Sequence, residues 1–188
     1  MRETLVELPV RWKKMARPFV LRHEDMSHTP EPLREQLSAL LPRLRRFARA
    51  LARNPHDADD LVQIALERAL TRSEQWREGT RVESWMFGIL KNAWIDETRS
   101  RARRARLFAP EEAGEQIGVA TTDAQVELLS MQAAMQKLPD EQRLAVALVL
   151  VEGLSYQEAA RVMEVPVGTV TSRLARGRAA LEAQLGEA

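Results

Sequence analysis

A short segment near the C-terminus combines hydroxyl and arginine side chains in a pattern that suits contact with DNA. Between Val165 and Leu181 there are three arginines and no acidic residue. Hydroxyls and arginines are the groups that contact base edges and hold phosphates in a major groove, and an arginine fork can donate to both acceptors of a guanine edge. The pattern predicts a helix that presents the following residues to DNA: Thr169, Thr171, Ser172, Arg173, Arg176 and Arg178.

A second segment combines aromatic and cationic side chains. Trp76, Trp85, Phe87 and Trp94 lie within 19 residues, and a block with five arginines and no acid follows at 99–106. Single-stranded DNA needs planar groups on which bases can stack and cations along its backbone. Trp85 lies on an apolar stripe and is assigned to the core, whereas Phe87 and Trp94 lie off that stripe and could be exposed or buried. The arginines are interpreted as a DNA-backbone contact, with a solvated helix end as the alternative.

The sequence offers no catalytic chemistry. Cysteine is absent, which excludes disulfides, thiolate zinc sites and cysteine nucleophiles. The phosphate-binding loop patterns rich in glycine are missing. His23, His28 and His56 are not spaced as metal ligands, and the acids at 57–60 are interpreted as helix caps rather than a magnesium site. We therefore expect no cofactor, no metal and no enzymatic activity.

The elements that must position these residues are helices. An apolar stripe runs from Leu33 to Leu51 at three- and four-residue steps. Pro42 interrupts the stripe, so one helix is predicted to end near Leu41 and another to start at Pro42. Asp57 is predicted to cap the next helix, which should run to about Arg72. Residues 73–81 are polar and predict a loop, and a long helix from Val82 should lead into the arginine block.

The second half of the chain is also predicted to be helical. Residues 144–151 are apolar throughout, which by itself fits a buried strand as well as a helix. Their helical neighbours favour a helix, with Gly153 at its C-terminal cap. Ser155 and Glu158 fit a capping box, and 164–166 form a brief turn before a second helix from Val167. Two short helices and a tight turn predict a helix-turn-helix, and the alternative is a plain helical hairpin with a solvated basic face.

The fold class that follows is all-α, with two small helical domains joined by a flexible linker. The predicted units are a poorly ordered extension at 1–32, a first domain at 33–106, an acidic linker at 107–123 and a helix-turn-helix domain at 124–188. The formal net charge is only +1, so the argument for DNA rests on how charge is distributed. The sequence contains no run of 18 apolar residues, so no membrane-spanning helix is predicted. The lack of cysteine fits a cytoplasmic protein.

Three segments of the second half resemble the C-terminal DNA-binding domain of bacterial sigma factors, most closely those of the extracytoplasmic-function type. They are Leu138-Pro139 with Arg143, residues 152–160 (EGLSYQEAA) and residues 167–178 (VGTVTSRLARGR). In that family this domain binds the −35 promoter element and contacts the polymerase flap. The resemblance implies that the six hydroxyl and arginine residues of the last helix bind the −35 element.

The first half resembles the same family independently. Residues 57–63 (DADDLVQ) are similar to a family segment that contacts the clamp helices of the largest polymerase subunit, which implies polymerase binding by Asp60 and Gln63. The family's next residue is usually Glu, whereas this chain has Ile64. Residues 85–96 (WMFGILKNAWID) resemble the segment that opens the −10 element. The resemblance implies that the following residues bind it: Trp76, Lys91, Asn92, Trp94, Arg99 and Arg103.

Taken together, the resemblance implies a sigma factor that binds core RNA polymerase and promoter DNA and is controlled by an anti-sigma factor. Two other functions stay open. One is a stand-alone helix-turn-helix regulator, which would bind duplex DNA tightly without polymerase. The other is a helical adaptor that only sequesters partner proteins, which Arg173, Arg176 and Arg178 on the DNA-facing helix argue against.

Overall fold

A computed structural model of the chain describes residues 33–73, 76, 81–107 and 123–186. These residues form helices and no strand, which confirms the predicted all-α fold. The predicted extension at 1–32, most of the 73–81 loop and most of the linker lie outside the described residues. The helices are α1 (Leu33–Leu51), α2 (Pro55–Thr71), α3 (Val82–Leu107), α4 (Asp123–Lys137), α5 (Asp140–Val146) with a π-helical continuation (Ala147–Val151), α6 (Tyr156–Met163) and α7 (Val167–Gly186).

Helix α1 is continuous, so the predicted break at Leu41 and Pro42 was wrong. Pro42 lies inside the helix on its exposed side. The apolar stripe continues in register across the proline, with Leu40 and Leu44 both buried in the same core. Burying one uninterrupted face outweighs the single backbone hydrogen bond that the proline removes.

The N-terminus of α2 differs from the predicted one by a few residues. Asn54, not Asp57, is the N-cap, and its side-chain oxygen accepts a hydrogen bond of 2.8 Å from the backbone N–H of Asp57. Pro55 occupies the first helical position, where its fixed φ and missing N–H are tolerated, so the cap is the residue before it. The carboxylate of Asp57 is thereby free to accept a hydrogen bond of 2.7 Å from Arg101 of α3.

Helices α1, α2 and α3, called here the N-terminal helices, pack around a shared apolar core. Phe47 of α1 meets Phe87 of α3 edge to face, with ring centroids 5.0 Å apart. Both rings are fully buried, as are Met86 and Leu90 on the same helix as Phe87. This packing fixes the rotation of α3 about its own axis and therefore decides which of its side chains reach the surface.

Helices α4 to α7, called here the C-terminal helices, contain the predicted helix-turn-helix. Residues 144–148 are buried within α5 and its π-helical continuation, which confirms the helical interpretation of the apolar run. The C-terminal cap of that element is Glu152, and the predicted cap Gly153 is the next residue, with φ +70°, a left-handed conformation that favours glycine. The capping box of Ser155 and Glu158 is present as predicted at the start of α6. A left-handed residue, Glu164, then turns the chain into α7.

The C-terminal helices pack directly against the N-terminal helices. Helix α1 contacts α4, α5 and the π-helical segment, and α3 contacts α6. The buried guanidinium of Arg143 donates to the carbonyl of Leu51 at 3.2 Å, and Gln136 donates to the carbonyl of Ala52. The sequence did not predict this closed arrangement. None of the helices in the described part of the chain is long and apolar enough to cross a membrane.

Candidate nucleic-acid interface

The predicted DNA-facing helix α7 is anchored by one apolar side and presents hydroxyls on the other. Val170, Leu174 and Leu181 are buried against the C-terminal helices. The hydroxyl of Thr171 donates to the carbonyl of Gly168 at 2.9 Å, and that of Ser172 donates to the carbonyl of Thr169 at 3.0 Å. Ser172 is exposed, and Thr169 and Thr171 are half-buried. Because these bonds are local, the hydroxyl oxygens remain able to accept from a second partner.

The three arginines of α7 differ in how freely they project. Arg176 is exposed and donates only along its own helix, to the carbonyl of Ser172 at 3.2 Å. Arg173 is paired with Glu141 of α5, and its side chain is 18% exposed. Arg178 lies 3.8 Å from Glu182 on the next turn. Of these three arginines, Arg176 is therefore the one that can reach DNA without breaking an ion pair.

Helix α3 carries a second exposed polar face. Asn92, Arg99 and Arg103 are all exposed, and at 3.6 residues per turn they lie within an arc of about 40°. Asp96 falls on the same face, where its carboxylate accepts from Arg68 of α2 at 3.0 Å. That pairing reduces the negative charge on this face. The result is one amide and two arginines aligned along about three turns of helix.

The structure places Lys91, Trp94 and Trp76 away from that face. Lys91 and Trp94 are 4% and 6% exposed, and each contacts a residue of the C-terminal half. The ammonium of Lys91 lies 2.6 Å from the carboxylate of Glu164, in the turn before α7, and the guanidinium of Arg143 lies 5.8 Å from the centre of the Trp94 ring. Trp76 is partly buried against the core. In this closed arrangement the candidate −10 residues do not form one open surface.

The remaining two aromatics of the cluster belong to the core. Phe87 is fully buried, which settles the alternative that the sequence left open in favour of the core. Trp85 is half-buried and packs against the core, as predicted.

The residues expected to bind polymerase lie together on the outside of α2. Asp60 and Gln63 are both exposed and are separated by one turn. Each contacts a neighbour on its own helix: Asp60 lies 3.2 Å from His56, and Gln63 donates to Glu67 at 3.0 Å. These exposed contacts are weak, so both side chains can exchange them for a partner.

An ion pair between Asp57 and Arg101 links helices α2 and α3 of the candidate site. The hydrogen bond from Arg101 lowers the pKa of Asp57 despite partial burial, and the same bond raises the pKa of Arg101. Arg101 also bonds Glu97 one turn earlier at 2.7 Å. Among the described residues, no group of three acidic or histidine side chains could hold a metal ion.

Three charged residues that the sequence analysis did not single out connect the two groups of helices. Glu152 has a fully buried side chain and accepts hydrogen bonds from Arg43 at 3.2 Å and from Arg46 at 2.9 and 3.0 Å. The pairs are separated by 109 and 106 residues along the chain. An acid at the end of an apolar run and two arginines on a helix carry no local signal that they meet.

Comparisons with known proteins agree with this geometry. Residues 128–181 match the family described as Sigma-70, region 4, and residues 37–91 match the family described as the Sigma2 domain of PhyR. The ECF RNA polymerase sigma factor EcfG of Rhodopseudomonas palustris is 37% identical over 155 residues, covering 82% of this chain and 86% of that protein. This chain belongs to the ECF family of RNA polymerase sigma factors. The family resemblance inferred from the sequence is thus confirmed.

Other members and a solved structure support the same assignment for this ECF sigma factor. ECF sigma factor SigM of Mycobacterium tuberculosis is 40% identical over 144 residues, covering 76% of this chain and 71% of that protein. The sigma factor RpoE of Bartonella quintana, solved in complex with the anti-sigma factor NepR, superposes with a TM-score of 0.69 at 30% identity. The match covers 81% of this ECF sigma factor and 96% of RpoE. The helical fold is therefore shared over most of both chains.

Proposed function

We propose that this ECF sigma factor binds core RNA polymerase and directs promoter-specific initiation. The N-terminal helices would recognise and help to melt the −10 element, and the helix-turn-helix would bind the −35 element. The proposed units are residues 33–106 and 124–188, joined by the linker at 107–123. We further propose that the protein is not an enzyme and acts in the cytoplasm, where it would meet the polymerase.

The single observation that carries the proposal is the exposed face of α3. Asn92, Arg99 and Arg103 are aligned there along about three turns of helix in a chain of the sigma family. An amide can hydrogen-bond the edge of an unpaired base, and arginines spaced along a helix can follow a phosphate backbone. Lys91 and Trp94, which contact Glu164 and Arg143, would become accessible beside this face once the C-terminal helices move away, and Trp76 is proposed to complete the site.

Helix α7 supports the −35 part of the proposal. Its apolar side is buried. The residues of this helix that we propose to bind DNA are Thr169, Thr171, Ser172, Arg173, Arg176 and Arg178. An exposed arginine that bonds only its own helix loses little on meeting a guanine edge or phosphate. Two tethered DNA-binding units make the second contact intramolecular, so each can be weak by itself.

Two protein partners complete the proposal. Asp60 and Gln63, exposed one turn apart on α2, are proposed to bind the polymerase. Control by an anti-sigma factor is proposed because the relative RpoE of Bartonella quintana was solved with one. The 30% identity over most of both chains makes a partner of that kind reasonable for this sigma factor.

In vitro transcription with purified core polymerase and a library of genomic fragments tests the function. We expect new transcripts with defined start sites that require this protein. On a promoter found in this way, Arg176→Ala should reduce use of a −35-dependent template about tenfold or more. Asn92→Ala should reduce open-complex formation, which permanganate footprinting of unpaired thymines measures.

The matched control is Arg45→Ala, which removes an exposed arginine from α1 and should transcribe like the wild type. If neither new transcripts nor co-elution with core polymerase is seen, the sigma function is wrong. Tight duplex binding by the protein alone would then favour the stand-alone regulator.

A second candidate function is a sigma-like decoy that titrates an anti-sigma factor. The observation in its favour is that residues 37–91 match the Sigma2 domain of PhyR, a protein described as an anti-anti-sigma factor in a related structure. The decoy would bind an anti-sigma factor but not support transcription. The same transcription assay therefore separates the two functions.

A further inference from the structure

The closed arrangement depends on charged contacts between the N-terminal and C-terminal helices. Glu152, just after the π-helical segment, is held by Arg43 and Arg46 of α1. Two further pairs cross the same boundary: Lys91 with Glu164, and Arg81 with Glu158. The partners of each pair belong to different groups of helices, so all of these contacts are lost if the groups separate.

Closure of the two groups of helices depends on the pairing of Glu152 with the arginines of α1. Its side chain is completely buried, and burial raises the pKa of its carboxyl although the hydrogen bonds and charges of Arg46 and Arg43 oppose this. A buried carboxylate is tolerated only when it is paired, and removing one partner of a buried pair is far more damaging than replacing both. Closure therefore requires the arginines of α1 to be in place.

Arg46 is a better residue than Arg43 to substitute in a test of this contact. It forms the two shorter bonds to the carboxylate, at 2.9 and 3.0 Å, while its own side chain is 47% exposed. Arg43 has a second role, since its guanidinium lies 5.4 Å from the centre of the Phe87 ring. Changing Arg46 thus weakens the contact with Glu152 without disturbing the core of the N-terminal helices.

Closure covers part of the candidate −10 site. Lys91 and Trp94 lie on α3, and the structures that shield them are the α6–α7 turn, through Glu164, and the side chain of Arg143. A phosphate would have to displace Glu164 from Lys91, and a base would have to displace Arg143 from the Trp94 ring. Asn92 stays exposed, so the closed form offers only part of the site.

We propose that the contact of Glu152 with Arg43 and Arg46 is an autoinhibitory latch, which holds the C-terminal helices over Lys91 and Trp94 and keeps the free protein from binding single-stranded DNA. The nature of the covered surface rests on the proposed function. The latch itself does not, because it is a statement about which conformation the free protein adopts.

Lysine labelling measures the latch without DNA. The full-length protein is treated briefly with an acetylating reagent, and the modification of buried Lys91 is compared with that of exposed Lys137 by mass spectrometry. Arg46→Gln leaves a buried carboxylate under-compensated in the closed form, so the Lys91-to-Lys137 ratio should rise about tenfold. Arg45→Gln removes the same charge from the exposed side of the same helix and should leave the ratio unchanged.

A second substitution shows whether Arg46 acts through Glu152. In the double variant Arg46→Gln/Glu152→Gln the buried group is neutral, so closure is restored and the ratio should return towards the wild-type value. An unchanged ratio in Arg46→Gln would overturn the latch. A raised ratio that Glu152→Gln fails to reverse would also overturn it, because Arg46 would then act within its own helices.

Binding of a fluorescein-labelled single-stranded oligonucleotide of mixed sequence tests the masking. Relative to Arg45→Gln, which matches its charge, Arg46→Gln should bind about tenfold more tightly. Raised labelling with unchanged binding would overturn the claim that closure masks a DNA-binding surface. If the proposed function is wrong, transcription with core polymerase will be absent. The lysine-labelling result does not depend on that outcome.

Discussion

At the scale of single residues, the helical face on which a side chain lies was easier to predict than its partner on another helix. The hydroxyls and arginines of α7 and the Asn92–Arg103 face of α3 follow from residue type and helical spacing. The role of Asp57 could not be predicted in this way. Pro55 moves the cap to Asn54, and the carboxylate of Asp57 pairs instead with Arg101, which is 44 residues away along the chain. Sequence spacing reports neighbours on one helix and carries no information on pairs between helices.

The pair of Asp57 and Arg101 gives a pH-dependent prediction. Asp57→Asn should lower the free energy of unfolding by about 1 kcal/mol at neutral pH, since the ion pair joins α2 to α3 and is partly shielded from water. The pKa of Asp57 is lowered in the folded protein by the hydrogen bond from Arg101. Its contribution is therefore complete above the unfolded pKa of about 3.9 and is lost as the pH falls through the lower folded value.

Urea denaturation over a pH series measures this difference. The curves of wild type and Asp57→Asn should converge as the pH falls to the lowered pKa that Asp57 has in the folded protein. Asp59→Asn is the control, because Asp59 is exposed on the same turn and should cost less. A gap that stays constant down to that pH would show that Asp57 acts through packing and not through its charge.

At the scale of elements, the helix-turn-helix was predicted almost completely and α1 was not. A capping box and a proline-containing turn are local signals, so α6, the turn and α7 lie where the sequence placed them. Pro42 is also a local signal, but the buried stripe of Leu40 and Leu44 overrides it. Propensity predicts where a helix can end, and tertiary packing decides whether it does.

The contact between α7 and α5 gives a prediction about helix packing. Gly177 is buried, and a Cβ atom added there would lie 2.8 Å from the Cγ2 atom of Val146, whose side chain is fully buried in turn. Overpacking of this kind costs about 1–3 kcal/mol, which exceeds the gain of up to about 1 kcal/mol from replacing a helical glycine. Gly177→Ala should therefore lower the free energy of unfolding in urea.

Gly168→Ala is the matched control for this substitution. It lies in the same helix, and a Cβ atom there would meet no atom within 4 Å. We expect it to be neutral or to stabilise by up to about 1 kcal/mol. If Gly177→Ala proved as stable as Gly168→Ala, the close approach of α7 to α5 would be wrong.

At the scale of the whole molecule, the closed arrangement could not be predicted from the sequence. A tethered pair of helical units was expected, but the contacts that close them join residues far apart in the sequence, such as Gln136 with Ala52, which are separated by 84 positions. Each of these residues has an unremarkable local setting. The apolar cluster nevertheless extends across both groups of helices, from Leu51 and Trp94 to Leu138 and Leu148. Apolar burial therefore stabilises the closed arrangement, which also depends on the pairing of one buried carboxylate, that of Glu152.

This arrangement predicts how the molecule unfolds. When a conditional contact holds two groups of helices together, each group supports the other and both should melt in one transition by differential scanning calorimetry. Arg43→Gln/Arg46→Gln leaves Glu152 unpaired, and an unpaired buried charge costs about 3–5 kcal/mol in the closed form. That penalty should uncouple the groups and split the transition into two.

The control Arg45→Gln/Arg49→Gln removes the same two charges from exposed positions of α1 and should keep one transition. Two well-separated transitions in the wild type would contradict the prediction, because the groups would then be independent with the contact intact. A single transition in the Arg43→Gln/Arg46→Gln variant would assign the coupling to the apolar part of the interface. In that case Glu152 would only tune closure, and opening the molecule would require a partner that displaces apolar surface as well as charge.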